Sequence, residues 1–342
     1  MGFTFILAAI FTVIGFGLLF SYYIESIFTG IFTALYIVSL TLILSPLLQK
    51  FWLNIFIGNF GSITTSTNVN AQVIIKSNES INISINFINL KLALCCAISQ
   101  LIIYLSVMGK VQLYKTLMTS LVFIIIWNLN YFLCLHVLNI SPDTRFFDDY
   151  AISMVYVFGS IAALVMTFDS PNNLHKMKSS NRTLKYPKIL SFLGIFFLWM
   201  SFSLTFSIVG IRKPSAAIDD SFFLRTIVYP EASIGMFFAL SSSVISTVAC
   251  SIIFNSNIKF SALIGGSISG AIMYGSVASF AVNIAIPITL GIFSGFFSVV
   301  YTSKLLAYVN KKHLNDSIGL FGAYSVSAIF GVAMVAPIVI YC

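Results

Sequence analysis

A chain of 342 residues that is 58% hydrophobic and 8% charged, with a mean hydropathy of +1.00, has too little polar surface to cover a water-soluble globule. Its net charge of +8 calls for no nucleic acid, because basic cytoplasmic loops beside anionic lipid account for it. The composition is that of an all-helical, polytopic membrane protein, with the lipid bilayer as its main partner.

About ten apolar runs follow one another along the chain, each near the roughly 20 residues that a bilayer requires. Their expected limits are 3–23, 28–49, 85–108, 113–138, 150–168, 189–211, 226–253, 260–279, 281–303 and 318–341. The first lacks a basic n-region and a small-residue cleavage site and runs past Gly15 and Gly17 without a break. It therefore reads as a retained helix of a mature chain that starts at Met1, not as a signal peptide. The Ser-, Thr- and Asn-rich segment 50–84 reads as a long outer loop, and 169–188 as a linker.

The fifth and tenth runs read alike. Asp148 stands eight residues before Tyr156, and Asp316 eight residues before Tyr324; Ile161 then matches Ile329, and Met166 matches Met334, at equal offsets. Eight residues of α-helix rise roughly 12 Å and return to nearly the same face, so each Asp is expected at a helix mouth with its Tyr deeper in the apolar part. N-terminal capping alone explains the two aspartates; the functional reading adds that they support the backbone lining a pore. The repeat divides a single transmembrane domain into a first five-helix half (1–168), a cytoplasmic linker (169–188) and a second half (189–342). An odd number of helices per half implies two inverted halves, with any binding site between them.

Loop charge sets the orientation. With the N-terminus outside, the densest Lys and Arg cluster, around 176–188, is cytoplasmic, and the sequons at Asn78, Asn82 and Asn139 face outward. Those at Asn181 and Asn315 fall inside and read as chance matches.

Chemistry within the spans is sparse. Lys91, Asp148, Asp149, Glu231 and Asp316 are the strongly polar residues within or at the edges of runs, with Gln100, Asn128, Asn130 and Asn283 as neutral ones. His136, His175 and His313 are scattered without a companion ligand set, so no metal is expected; Cys95, Cys96, Cys134, Cys250 and Cys342 read as small core residues. The glycine pairs Gly266/Gly270 and Gly291/Gly295 read as sites of close helix packing. The chain holds no HExxH, GxSxG or phosphate loop, and no enzyme activity, catalytic residue or cofactor is expected.

Four stretches resemble the ammonium transporter and Rh superfamily. Tyr156-Val157-Phe158-Gly159-Ser160-Ile161-Ala162-Ala163-Leu164 is similar to the family's fifth-helix run, and Asp316-Ser317-Ile318-Gly319 through Tyr324 to Gly331 to its tenth-helix signature. Phe197-Leu198-Trp199-Met200 resembles a sixth-helix run of the Rh branch, and Ser261-Ala262-Leu263-Ile264-Gly265-Gly266 the eighth helix. The resemblance spans nearly the whole chain. It implies a homotrimeric plasma-membrane channel or transporter for ammonium, ammonia or another small neutral solute.

The departures concern the pore. The resemblance implies two facing histidines, one per half, where this chain has Tyr156 and Tyr324. A phenol of ordinary pKa near 10 keeps its proton at neutral pH, so the pair offers hydroxyl hydrogen bonds but no proton relay. Some Rh-branch members with Tyr at the first position are associated with membrane scaffolding, which leaves a transport-defective scaffold as the alternative function. The family's outer Phe gate falls at Cys95, and its sixth-helix gate near Thr205, with Phe202 and Phe206 as neighbours. The sequence stops at Cys342, after the tenth run, so an Amt/Rh-like fold lacking the last helix is expected.

Overall fold

The computed structural model describes residues 2–20, 27–60, 87–107, 113–134, 153–168, 185–207, 230–255, 260–278, 283–311, 319 and 321–335. These form ten helical segments and, among the described residues, no strand. In chain order they are α1 (Gly2–Phe20), α2 (Ile27–Phe60), α3 (Phe87–Val107), α4 (Leu113–Phe132) and α5, a π-helical stretch Ser153–Val157 leading into the α-helix Phe158–Phe168. The second set is α6 (Lys185–Ser207), α7 (Pro230–Asn255), α8 (Phe260–Gly275) and α9 (Ala285–Val300, extended by π-helical Tyr301–Leu305 and Leu306–Lys311). Last comes α10, in which π-helical Phe321–Val326 leads into Ser327–Ala333. Helices are the expected outcome, because a segment in hydrocarbon must satisfy its own backbone.

Two helix boundaries differ from those expected. α2 continues to Phe60, eleven residues past the expected end at 49 and into the supposed outer loop, because Phe51, Trp52 and Ile55 keep the apolar run going. α6 begins at Lys185, inside the expected linker. Six helices are long and apolar enough to cross a membrane, whereas Leu117–Phe132, Met154–Met166, Phe260–Gly275 and Phe321–Ala333 are shorter apolar helices among the described residues. Asp148, Asp149, Asp316, the three histidines, all the sequons and most of the linker lie outside the described residues.

The packing pattern repeats with a shift of five helices. In the first set α2 packs on α1, α3 and α4, and α3 packs on α5; in the second α7 packs on α6, α8 and α9, and α8 packs on α10. α3 and α8, the counterparts at the centre of each set, are the most thoroughly enclosed: residues 93–106 of α3 and 264–275 of α8 are buried throughout. Between the sets, α1 packs on α6 and α5 on α10, so each helix of these pairs meets its own counterpart.

α1 and α6 run antiparallel. Thr12 hydrogen-bonds Ser201 at 2.6 Å, Phe11 meets Phe197, and Gly15 and Gly194 lie where the backbones cross. A Cβ on Gly194 would stand 2.7 Å from the Gly15 carbonyl oxygen, so only glycine permits this approach. The second set packs through small residues as well. Gly266 and Gly270 of α8, and Gly291 and Gly295 of α9, all abut the Ala239, Ser242, Ser243, Ser246 and Thr247 stretch of α7.

The many buried hydroxyls are tolerated because they bond back to their own helices. Thr41 donates to the Ile37 carbonyl at 2.8 Å, Thr205 to that of Ser201 at 2.8 Å and Thr247 to that of Ser243 at 2.6 Å. Where Pro46 interrupts the α2 ladder, a polar cluster forms: Ser45 donates to Asn128 Oδ1 at 2.9 Å, Gln49 donates to Ser45 at 3.2 Å, and Asn128 donates to the Ile124 carbonyl at 2.8 Å.

Candidate pore at the crossing of α5 and α10

Each tyrosine sits three residues into a π-helical stretch, Tyr156 after Ser153 and Tyr324 after Phe321, so the sequence repeat is also a repeat of irregular backbone. The wider π turn shifts the facing of side chains relative to the following α-helix, a device common at functional positions. Gly319, with φ +74° in the left-handed region, precedes α10, and its carbonyl accepts from the Ala323 N–H at 3.1 Å.

The two stretches bring the tyrosines together. Their rings stack with centroids 5.9 Å apart and planes inclined by 24°, and both are buried, Tyr156 to 3% and Tyr324 to 0% exposure. Phe202 of α6 meets Tyr156 edge-on at 6.3 Å. Beside the rings, Ser160 donates to the Tyr156 carbonyl and shares a hydroxyl–hydroxyl hydrogen bond with Ser325, which ties α5 to α10. Gly159 lets α5 approach α3: a Cβ there would stand 3.1 Å from the Ser99 carbonyl oxygen.

One feature of this packing is uncompensated. The Tyr324 hydroxyl is buried and has no hydrogen-bond partner among the described residues. The hydroxyls of Ser327, one turn along α10, and of Ser276, next to Gly331 of the same helix, are also buried and unpartnered, as are those of Ser99 on α3 and Ser298 on α9. An orphaned polar group in an apolar interior costs about 1–3 kcal/mol, and such groups commonly mark the position of water or of a small polar guest.

Of the residues expected at the pore, Tyr156, Tyr324, Phe202 and Cys95 belong to one continuous apolar core, with Cys95 buried on α3. The ring contacts join Phe202, Tyr156 and Tyr324 directly. Phe206 lies in the last turn of α6, but its side chain is outside the described set, as are Asp148 and Asp316 altogether. Sequence reasoning missed Ser160 and Ser325. The repeat had no means of flagging them, because the counterpart of Ser160 is Ala328 and that of Ser325 is Val157.

No family model matches the chain. It is 25% identical over 257 residues to the ammonium transporter Rh type C-like 2 of Danio rerio, a match covering 73% of this chain and 48% of that protein, so the chain spans about half the length of this relative. Its fold is similar to that of Rh50 from Nitrosomonas europaea, a structure described in terms of conduction by the Rhesus family of channels. The TM-score is 0.68 at 17% identity, covering 98% of this chain and 82% of that one. A sensor Amt protein gives the same TM-score at 13% identity, over 98% of this chain and 81% of the other. The chain is thus similar in sequence to an Rh-type transporter and shares its fold with both Rh and Amt structures.

Proposed function

We propose that this protein is a channel of Rh/ammonium-transporter type for a small neutral solute, with ammonia as the solute to test first. The observation that carries this reading is the Tyr324 hydroxyl, buried at the α5–α10 crossing with no partner among the described residues, where the resemblance expects the pore. A protonated phenol can donate to an uncharged lone-pair solute, and it offers no site at neutral pH for a proton to be exchanged. Flux through such a pore carries no current. Cys95 and Phe202, with Phe206 farther along α6, are assigned to the walls above the tyrosines, and Asp148 and Asp316 to the mouths of α5 and α10.

The same reading takes 1–168 and 189–342 as inverted halves about an axis in the membrane plane, supported by the shift-of-five packing and by antiparallel α1 and α6. The N-terminus lies outside in a plasma membrane, and the assembly implied by the resemblance is a homotrimer.

The stacked rings and the Ser160–Ser325 link also favour a second reading, a closed scaffold that keeps the fold without conduction. Stopped-flow pH change in proteoliposomes, with current recorded in parallel, separates the two. The channel reading expects ammonia flux without current. Electrogenic transport by the natural chain refutes the role given to the tyrosines, and absence of flux both from it and from the Tyr156→His/Tyr324→His variant supports the scaffold.

A further inference from the structure

An open groove of about 620 Å³ lies between α4, α5 and α10. Its walls are almost wholly apolar: Phe123 from α4, Phe158 and Val165 from α5, and Val332 from α10. Phe123 and Phe158 meet edge to face, with centroids 6.5 Å apart and planes at 77°. Val165 and Ile329 on its rim are among the well-exposed apolar residues, so in a membrane the groove opens to lipid. Its α5 wall, from Met154 to Val165, spans roughly 15 Å, which is about half of a hydrocarbon core of about 30 Å.

Among the described residues, one strongly polar side chain stands in this lining. Asn130 donates to Met154 Sδ at 3.6 Å, and its Oδ1 accepts from Cys134 Sγ at 3.9 Å. Both partners are sulfur, a weak acceptor and a weak donor, so the amide retains most of its hydrogen-bonding capacity. Asn128, two residues earlier, is by contrast held by two oxygen partners, the Ser45 hydroxyl and the Ile124 carbonyl.

We propose that this groove binds a sterol, whose single hydroxyl both accepts from and donates to the Asn130 amide while its flat apolar body lies along Phe158 and Phe123. A rigid molecule one leaflet long with one hydroxyl matches both the span of the groove and its lone amide. A phospholipid tail fills the volume but leaves the amide facing hydrocarbon, which costs free energy that a hydroxyl removes. Met154 and Val157, which line the groove, belong to the same π-helical stretch as Tyr156, so the occupant braces the segment that forms the tyrosine crossing.

The test is photolabelling of the intact protein in nanodiscs with a diazirine sterol that keeps its hydroxyl, followed by peptide mapping. Labelling is expected on the peptides of α4, α5 and α10, displaced by cholesterol but not by its 3-deoxy analogue. Asn130→Leu is expected to lower it two- to tenfold, the range of one neutral hydrogen bond. Val165→Trp, at a lipid-exposed position that tolerates size, blocks the groove and lowers labelling independently, so the result does not depend on Asn130→Leu folding. Equal competition by the 3-deoxy sterol overturns the proposal, as does labelling of the same peptides by a photoreactive phosphatidylcholine with no response to Asn130→Leu. Sterol labelling spread evenly over the lipid-facing helices overturns it too.

Discussion

Replacing Tyr324 by Phe removes one oxygen and its proton and leaves the ring to stack on Tyr156 at the same 5.9 Å. In a dry site the lost group is an unpaired hydroxyl, 0% exposed, whose burial costs about 1–3 kcal/mol, so the variant gains stability of that order. In a site that holds water or a passing solute, the group makes a hydrogen bond worth about 0.5–1.5 kcal/mol, and its removal lowers stability by no more than that. The channel reading joins this small effect on stability, in either direction, to a two- to tenfold fall in ammonia flux, because the hydroxyl is what the solute meets at the crossing. Denaturant unfolding in detergent gives the first quantity, and stopped-flow pH change in proteoliposomes gives the second. A loss of more than about 2 kcal/mol with unchanged flux would mark the hydroxyl as an ordinary structural donor and would refute the argument.

Further outcomes follow from the same geometry. At the α1–α6 crossing, a Cβ on Gly194 meets the backbone of Gly15 and Leu19 at 2.7 and 3.0 Å, whereas one on Gly15 meets first the Leu198 side chain at 2.7 Å. Gly194→Ala is therefore expected to destabilise by about 1–3 kcal/mol, and Gly15→Ala by less, with Leu198→Ala relieving the second but not the first; the reverse order in unfolding experiments contradicts the crossing. Thr12→Val, which breaks the 2.6 Å bond to Ser201, is expected to cost about 0.5–1.5 kcal/mol in the same measurement, and no loss at all discounts that bond. The natural chain should show no step in flux between about pH 5.5 and 7.5 arising from the tyrosine pair, whereas the double His variant, where it conducts, should acquire a pH dependence that the natural chain lacks. A Ser180→Cys variant should react more slowly than a Ser77→Cys variant with an impermeant maleimide on intact cells, and equal rates reverse the proposed orientation.

Much of the architecture was legible in the sequence because a bilayer leaves few choices. A run of apolar residues in hydrocarbon can satisfy its backbone only as a helix or as part of a closed barrel, so the order and number of the helices follow from hydropathy. The Asp-to-Tyr spacing identified α5 and α10 as counterparts, and the glycine pairs on α8 and α9 announced close packing, because both signals are local and periodic. What periodicity does not encode is how far a helix continues past its last fully apolar turn, and α2 therefore outran its expected end at 49. Only tertiary structure decided that the Tyr156 and Tyr324 rings stack, that Ser160 reaches the non-equivalent Ser325, and that the Tyr324 hydroxyl lacks a partner. Only it set Asn130 into an apolar groove while Asn128 was consumed by α2. These are contacts between residues as many as 168 positions apart, set by how two helices cross, and side-chain identity along one helix carries no record of what the other presents.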